Sequence, residues 1–150
     1  MTMKSSLILM LAIFTLHAFV AAEEPAKTPV NEHVKFSISL KERSLKTGGA
    51  GNLLIRLRPK KGIHINLKPA ISIAYDSAGI ITRTDTPIIP AADTFLNTSK
   101  PIQQHIMLAA GLKSGKAIIR GVVTYFYCSD AEGWCSRFKQ SFELPVRVVK

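Results

Sequence analysis

The stretch Val34-Lys35-Phe36-Ser37-Ile38-Ser39-Leu40 carries an apolar residue at every second position. Residues 53–58, Leu-Leu-Ile-Arg-Leu-Arg, repeat this period, with Leu53, Ile55 and Leu57 on one face and the two arginines on the other. A period of two is typical of β-strands that bury one face and expose the other. The alternation therefore predicts a fold built from half-buried strands.

The rest of the chain contains further candidate strands, separated by turn-forming glycine, proline and Asp-Ser residues. They are residues 71–73, 79–83, 102–109, 116–128 and 137–149. No segment has a convincing helical period, and seven to nine short strands with such turns are typical of a β-sandwich. Pro145 and the basic residues near it indicate that the last strand lies partly at a sheet edge.

The first 22 residues have the pattern of a secretory signal peptide. Lys4 precedes a mostly apolar run from Leu7 to Val20, and the small residues Ala21 and Ala22 follow. The run is shorter than the roughly 20 apolar residues of a spanning helix, so we expect cleavage rather than a retained anchor and no stable membrane insertion. The predicted organisation is a signal peptide at 1–22, a flexible segment at 23–32 and one folded domain at 33–150.

The chain is basic, with 20 Lys and Arg against 10 Asp and Glu and a formal net charge of +10. Such an excess favours acidic partners, anionic lipid headgroups or nucleic acid. An exported chain seldom meets nucleic acid, and the aromatic residues are not interleaved with basic ones as a stacking platform requires. We therefore expect no nucleic-acid partner, and attachment to an anionic envelope surface stays an alternative function.

The two cysteines stand at the two ends of a polar loop. A strong β run ends at Cys128, six residues form a connection that contains Gly133, and Cys135 opens the next strand. If these strands pair as a hairpin, the cysteines face each other at about the 5–6 Å Cα separation that a disulfide prefers. The pair can then bond without rearrangement of the sheet.

Composition and spacing leave two interpretations of this pair open. Two cysteines in an exported protein usually form a structural disulfide, in which case the chain is a noncatalytic binding module with a braced hairpin. However, the chain-entropy model assigns a loop this short only ~2.5 kcal/mol. A disulfide at a loop end can also be reached by an attacking thiolate, which favours thiol-disulfide exchange.

Other cysteine chemistry has little support in the sequence. Two cysteines supply half of a zinc site, and His33, His64 and His105 show no ligand spacing, so we expect no metal and no other cofactor. Nucleophilic catalysis by one cysteine, with His64 or His105 as its base, rests on no local motif.

Three segments form an unusual combination: residues 125–135, which hold both cysteines, Gly62-Ile63-His64-Ile65-Asn66, and Asp93-Thr94-Phe95-Leu96-Asn97. Together they resemble the N-terminal periplasmic domain of the thiol:disulfide interchange protein DsbD, over roughly residues 33–149. The resemblance implies an immunoglobulin-like antiparallel β-sandwich located in the periplasm. It also implies electron transfer from a thioredoxin-like or DsbD-type membrane donor to periplasmic disulfide-handling clients, which is thiol-disulfide oxidoreductase chemistry.

The resemblance also implies roles for individual residues. Cys128 and Cys135 correspond to the redox pair, and we expect Cys128 to be the sulfur that bonds to partners. Phe95 corresponds to the aromatic residue of a cap loop that shields the cysteines until a partner displaces it. The other residues expected to line or border the site are Asp93 in the same loop, His64 and Asn66 at positions where the family has tyrosines, and Tyr127 and Trp134 beside the cysteines.

The sequence departs from the family pattern in several places. The connection between the cysteines is one residue longer than in the best-known members, and Thr94 stands where the cap has a second acid. We expect no membrane or thioredoxin-like domain after the sandwich, and therefore an electron donor on another polypeptide. The loop acids Asp130 and Glu132 should disfavour the Cys128 thiolate, which suits a carrier that reacts only within a complex.

Overall fold

The computed structural model describes residues 29–150 apart from Ala78. None of these residues belongs to a helix, so this part of the chain contains no helical segment that could cross a membrane. The described residues form eleven strands: β1 (Val34–Leu40), β2 (Leu45–Lys46), β3 (Ala50–Pro59), β4 (Ile63–Asn66), β5 (Ser72–Tyr75), β6 (Ile81–Thr84), β7 (Ala91–Ala92), β8 (Phe95–Leu96), β9 (Ile102–Leu108), β10 (Gly115–Ser129) and β11 (Trp134–Val149).

The first sheet has four strands in the order β1-β3-β9-β6, all antiparallel. Its register places apolar residues of neighbouring strands opposite each other, as with Phe36 and Leu57 or Ile55 and Ile102. Because side chains alternate between faces, each such pair adds to one continuous apolar surface.

The second sheet has seven strands and is organised around the long β10–β11 hairpin. Its order is β2-β11-β10-β4-β8-β7, with β5 also pairing with β10. The hairpin register runs without a break from Gly115 opposite Val148 to Ser129 opposite Trp134. All pairings are antiparallel except that of β2, which runs parallel to the last residues of β11.

The hydrophobic core lies between the two sheets. Its most buried members come from both of them, including Ile55 and Ile106 from the first sheet and Ile119, Val123 and Tyr125 from β10, all fully enclosed. The core therefore fixes one face of β10 inward and leaves the alternate residues, among them Cys128, on the outer face of the second sheet.

The predicted all-β fold, an antiparallel β-sandwich, is confirmed. The strands beyond the predicted seven to nine are mostly two-residue pairings, which a periodic pattern cannot reveal. Within the segment 23–32, which the sequence predicts to be flexible, Asn31 is buried, donates to the Tyr125 hydroxyl across 3.0 Å and accepts from the backbone of His33 and Val34. The predicted signal peptide and residues 23–28 lie outside the described residues.

Candidate functional site

The hairpin brings the two cysteines directly opposite each other, and they form a disulfide. The connecting loop closes through Gly133, which has a φ of 68° and whose N–H donates to the carbonyl oxygen of Ser129 across 2.9 Å. A positive φ is readily adopted by glycine, which explains this residue at the loop end. The predicted facing of Cys128 and Cys135 across the mouth of a hairpin is therefore present in the structure.

The Cα atoms of the cysteines are 4.1 Å apart, closer than expected from the sequence. In an antiparallel ladder this is the separation of a non-hydrogen-bonded pair, in which the backbone groups of both residues point away from each other. The backbone of Cys128 therefore points towards β4, where its register partner is His64. The backbone of Cys135 points towards the outer edge of β11.

The two sulfur-bearing residues differ sharply in exposure. Cys128 lies on an interior strand of the sheet and is 4% exposed, whereas Cys135 lies on β11 and is exposed. Cys135 is therefore the more accessible of the two cysteines to an outside thiol, while Cys128 is covered.

Asn66 contacts the covered sulfur directly. Its side-chain Nδ2 donates a hydrogen bond to Sγ of Cys128 across 3.1 Å. The register explains the contact: Asn66 is paired with Phe126, two residues before Cys128 on the same outer face of the sheet. Two neighbouring rows of cross-strand partners therefore meet at the site. The first row contains Cys135, Cys128 and His64, and the second contains Phe126 and Asn66.

Phe95 extends the second row, because its register partner on β4 is Asn66. Its ring lies with its centroid 4.1 Å from that of the His64 imidazole and is 38% exposed. Asp93 lies in the turn before β8 with a φ of 57°, and its side chain is exposed. The structure therefore places Phe95, His64 and Asn66 beside the disulfide, with Asp93 at the turn that carries Phe95.

Asp130, in the loop between the cysteines, contacts His64. Its Oδ2 lies 3.3 Å from Nδ1 of His64, although its side chain is 84% exposed. Exposed pairs of this kind contribute little to stability. The contact nevertheless links the cysteine loop to the residue on which Phe95 packs, and no sequence pattern pointed to it because His64 and Asp130 are brought together only by the fold.

Tyr127 and Trp134 flank the cysteines in sequence, but their side chains lie on the inner face of the sheet. They meet edge to face with ring centroids 5.6 Å apart, and His33 packs on Trp134 at 5.1 Å. The indole N–H donates to Glu132. Alternation of side chains along a strand accounts for this placement. The two aromatic residues close the end of the core and do not border the outer surface of the disulfide.

Burial raises the pKa of Tyr125, which lies beneath the site, to about 12. Desolvation disfavours the phenolate there, and the bond from Asn31 offsets part of that effect. Tyr125 also packs against Tyr127, so the inner face under the cysteines is a rigid aromatic layer.

Two basic residues lie near the site; the sequence marked Lys139 only as a sign of an edge strand and did not single out Arg137. Arg137 and Lys139 follow Cys135 at two-residue steps on the outer face of β11, and both are exposed. The alternation of residues 135, 137 and 139 along the predicted strand could have shown that these side chains share a face with Cys135. Across residues 29–150 other than Ala78, no group of three or more His, Cys, Asp or Glu side chains is placed to hold a metal ion.

Comparison with known proteins identifies no family. No family model matches the chain, and no curated protein matches it. Among solved structures it is similar to the crystal structure of the yeast GGA1 GAE domain, with a TM-score of 0.44 and 15% sequence identity over 79% of this chain and 96% of that chain.

The arrangement combines one accessible sulfur, one covered sulfur and a hydrogen-bond donor on the covered one. Attack on a disulfide is easier when the departing sulfur is stabilised as a thiolate, and an N–H donor provides that stabilisation. The site can therefore support directional thiol-disulfide exchange, with entry at Cys135 and departure at Cys128.

Proposed function

We propose that this protein is a periplasmic thiol-disulfide exchange protein that carries electrons on Cys128 and Cys135. Its electron donor would be a thioredoxin-like or DsbD-type membrane protein, and its clients would be periplasmic disulfide-handling proteins. The single observation that carries the proposal is the asymmetry of the disulfide: an exposed cysteine bonded to a covered one whose sulfur already accepts a hydrogen bond from Asn66.

This asymmetry reverses our expectation about which sulfur bonds to partners. Cys135 is an exposed residue, whereas Cys128 is buried and lies beside Asn66 and His64 of β4. Attack at Cys135 also makes Cys128 the leaving group, next to the donor of Asn66. The mixed disulfide is therefore assigned to Cys135 and the resolving role to Cys128.

The exchange proceeds by two successive thiolate attacks in each direction. A donor thiolate attacks Sγ of Cys135, the intramolecular S–S bond breaks, and Cys128 departs as a thiolate and takes up a proton. A second donor thiol attacks the mixed disulfide, so the donor is oxidised to a disulfide and this protein is left as a dithiol. Towards a client, the Cys135 thiolate attacks the client disulfide and Cys128 then displaces the reduced client.

The cap supports a carrier that reacts selectively. Phe95 packs on His64, which is the register partner of Cys128. In the reduced state this contact keeps the Cys128 thiol away from unspecific oxidants. A partner that displaces Phe95 would expose the resolving thiol at the moment it is needed.

The alternative function is a noncatalytic exported module in which the disulfide braces the hairpin. The ladder of β10 and β11 continues on the far side of the cysteines for more than ten residue pairs, so the brace adds little to a hairpin already held by its backbone. This favours the exchange function over the structural one.

Redox equilibration against glutathione tests the proposal. Purified protein is equilibrated at graded ratios of reduced to oxidised glutathione, and its thiols are counted by alkylation and mass spectrometry. A potential above about −300 mV is expected for an exchanging pair, whereas a value below about −300 mV marks a structural bond and overturns the proposal. The variant with both cysteines replaced by alanine provides the blank for alkylation.

A further inference from the structure

β11 has a long edge along which no described strand forms a hydrogen-bonded ladder, although β1 of the other sheet packs near it. It pairs with β10 throughout, but β2 meets it only at Val148 and Val149. Because Cys135 is in a non-hydrogen-bonded pair with Cys128, its N–H and C=O point to this outer edge. The same orientation recurs at every second residue, so Arg137 and Lys139 also present their backbone groups there.

The two halves of this edge differ in whether their backbone hydrogen-bonding groups are blocked. In the far half, the carbonyl of Ser141 accepts from the side chain of Gln140 across 3.0 Å, Pro145 has no N–H, and β2 covers the end. Blocking groups of this kind prevent an edge from taking up another strand. In the near half, from Cys135 to Lys139, no described residue supplies a hydrogen bond to the edge-facing backbone groups. The unblocked half begins at the reactive sulfur.

The positive charge of the unblocked half indicates which kind of strand could bind there. Arg137 and Lys139 lie on the same face as the sulfur of Cys135, and both are exposed. A second copy of β11 would place these cations opposite each other, which like charges disfavour. An extended segment with acidic side chains would instead pair its charges with them.

We propose that a thiol-bearing partner docks on the edge of β11 between Cys135 and Lys139 as an added β-strand that carries acidic residues. This inference rests on the proposed exchange function and specifies how that site selects its partners. Main-chain hydrogen bonds provide affinity in strand addition, and the alternate side chains provide specificity. The added strand holds the partner thiolate beside Sγ of Cys135; their bond forms as the intramolecular S–S bond breaks and Cys128 leaves as a thiolate.

Alternate N-methylation of a peptide tests the docking mode. The probe is an acidic peptide with one cysteine, made unmethylated and in two isomers methylated at odd or at even positions. Only one isomer loses the N–H groups that face β11. We expect the unmethylated peptide and one isomer to reduce the disulfide at least about tenfold faster than the other isomer, equivalent to roughly 1.4 kcal/mol in the barrier. Equal rates for the two isomers overturn the proposal.

Substitutions in the protein itself provide a second test of the docking mode. Arg137→Pro removes an edge-facing N–H, as Pro145 does naturally, while Arg137→Ala removes the same charge and keeps the N–H. We expect the ratio of peptide rate to glutathione rate to fall in the proline variant relative to the alanine variant, and Lys139→Pro against Lys139→Ala repeats the comparison. Equal ratios in both comparisons overturn the docking. If neither glutathione nor peptide reduces the unsubstituted protein, the exchange function itself fails.

Discussion

The side-chain amide of Asn66 donates a hydrogen bond to Sγ of Cys128, from a strand 62 residues earlier in the chain. A hydrogen bond to a charged group contributes about 1.5–3 kcal/mol, so this donor should stabilise the Cys128 thiolate more than the disulfide. The contact therefore gives the disulfide a preferred direction of opening.

Replacing Asn66 tests this effect. Asn66→Ala should slow reduction of the disulfide by roughly three- to tenfold, because the leaving thiolate loses its donor. Stopped-flow reduction with a small thiol measures this rate. Asn66→Leu, which keeps the bulk, should behave like the alanine variant; a normal rate in both would show that the amide has no such role.

Phe95 should protect the covered cysteine but not the exposed one. In reduced protein, Phe95→Ala is expected to speed alkylation of Cys128 severalfold and to change that of Cys135 little, since Cys135 is already accessible. Peptide mapping by mass spectrometry resolves the two sites. Ile88→Ala removes another exposed apolar side chain, from outside the site, and serves as the control. Unchanged alkylation of Cys128 would exclude a shielding role for Phe95.

The sequence predicts the strands well where the pattern is periodic, and it predicts that Cys128 and Cys135 face each other because a hairpin register is local. The contact of Asn66 with Cys128 depends on which strand lies beside β10, and that is decided by core packing across the whole chain. The short strand that holds Phe95 is likewise formed by long-range pairing. The inward side chains of Tyr127 and Trp134, by contrast, follow from alternation with the cysteines and could have been predicted.

Gly121 lies at a close approach in the core where a side chain has no room. A Cβ added there would lie 2.5 Å from the carbonyl oxygen of Ala74 and 2.7 Å from Cζ of Phe142. Overpacking against backbone should make Gly121→Ala less stable by about 1–3 kcal/mol. Urea unfolding measures the loss, with Gly111→Ala as the matched control because nothing lies within 4 Å of its added Cβ. Identical midpoints for the two variants would refute the steric argument.

Tyr125 should make the protein sensitive to alkali. Its pKa is raised to about 12 by burial, against an ordinary value of about 10. The stability associated with the neutral phenol is fully present below about pH 10 and is lost as the pH rises through about 12. Tyr125→Phe should therefore lose less unfolding free energy over this interval than the unsubstituted protein does. Denaturant titrations at several pH values compare the two, and parallel curves would contradict the assignment.

Single-cysteine variants should reveal which sulfur bonds to partners. In Cys128→Ala the exposed Cys135 remains and its resolving partner is gone, so mixed disulfides with partner proteins should accumulate. In Cys135→Ala the remaining sulfur is the covered Cys128, and trapping should be at least severalfold weaker. Each tagged variant is expressed with export, alkylated at low pH and analysed by non-reducing electrophoresis beside the variant lacking both cysteines. Stronger trapping through Cys128 would mean that partners displace the cap before they react, and the entry point assigned to Cys135 would then be wrong.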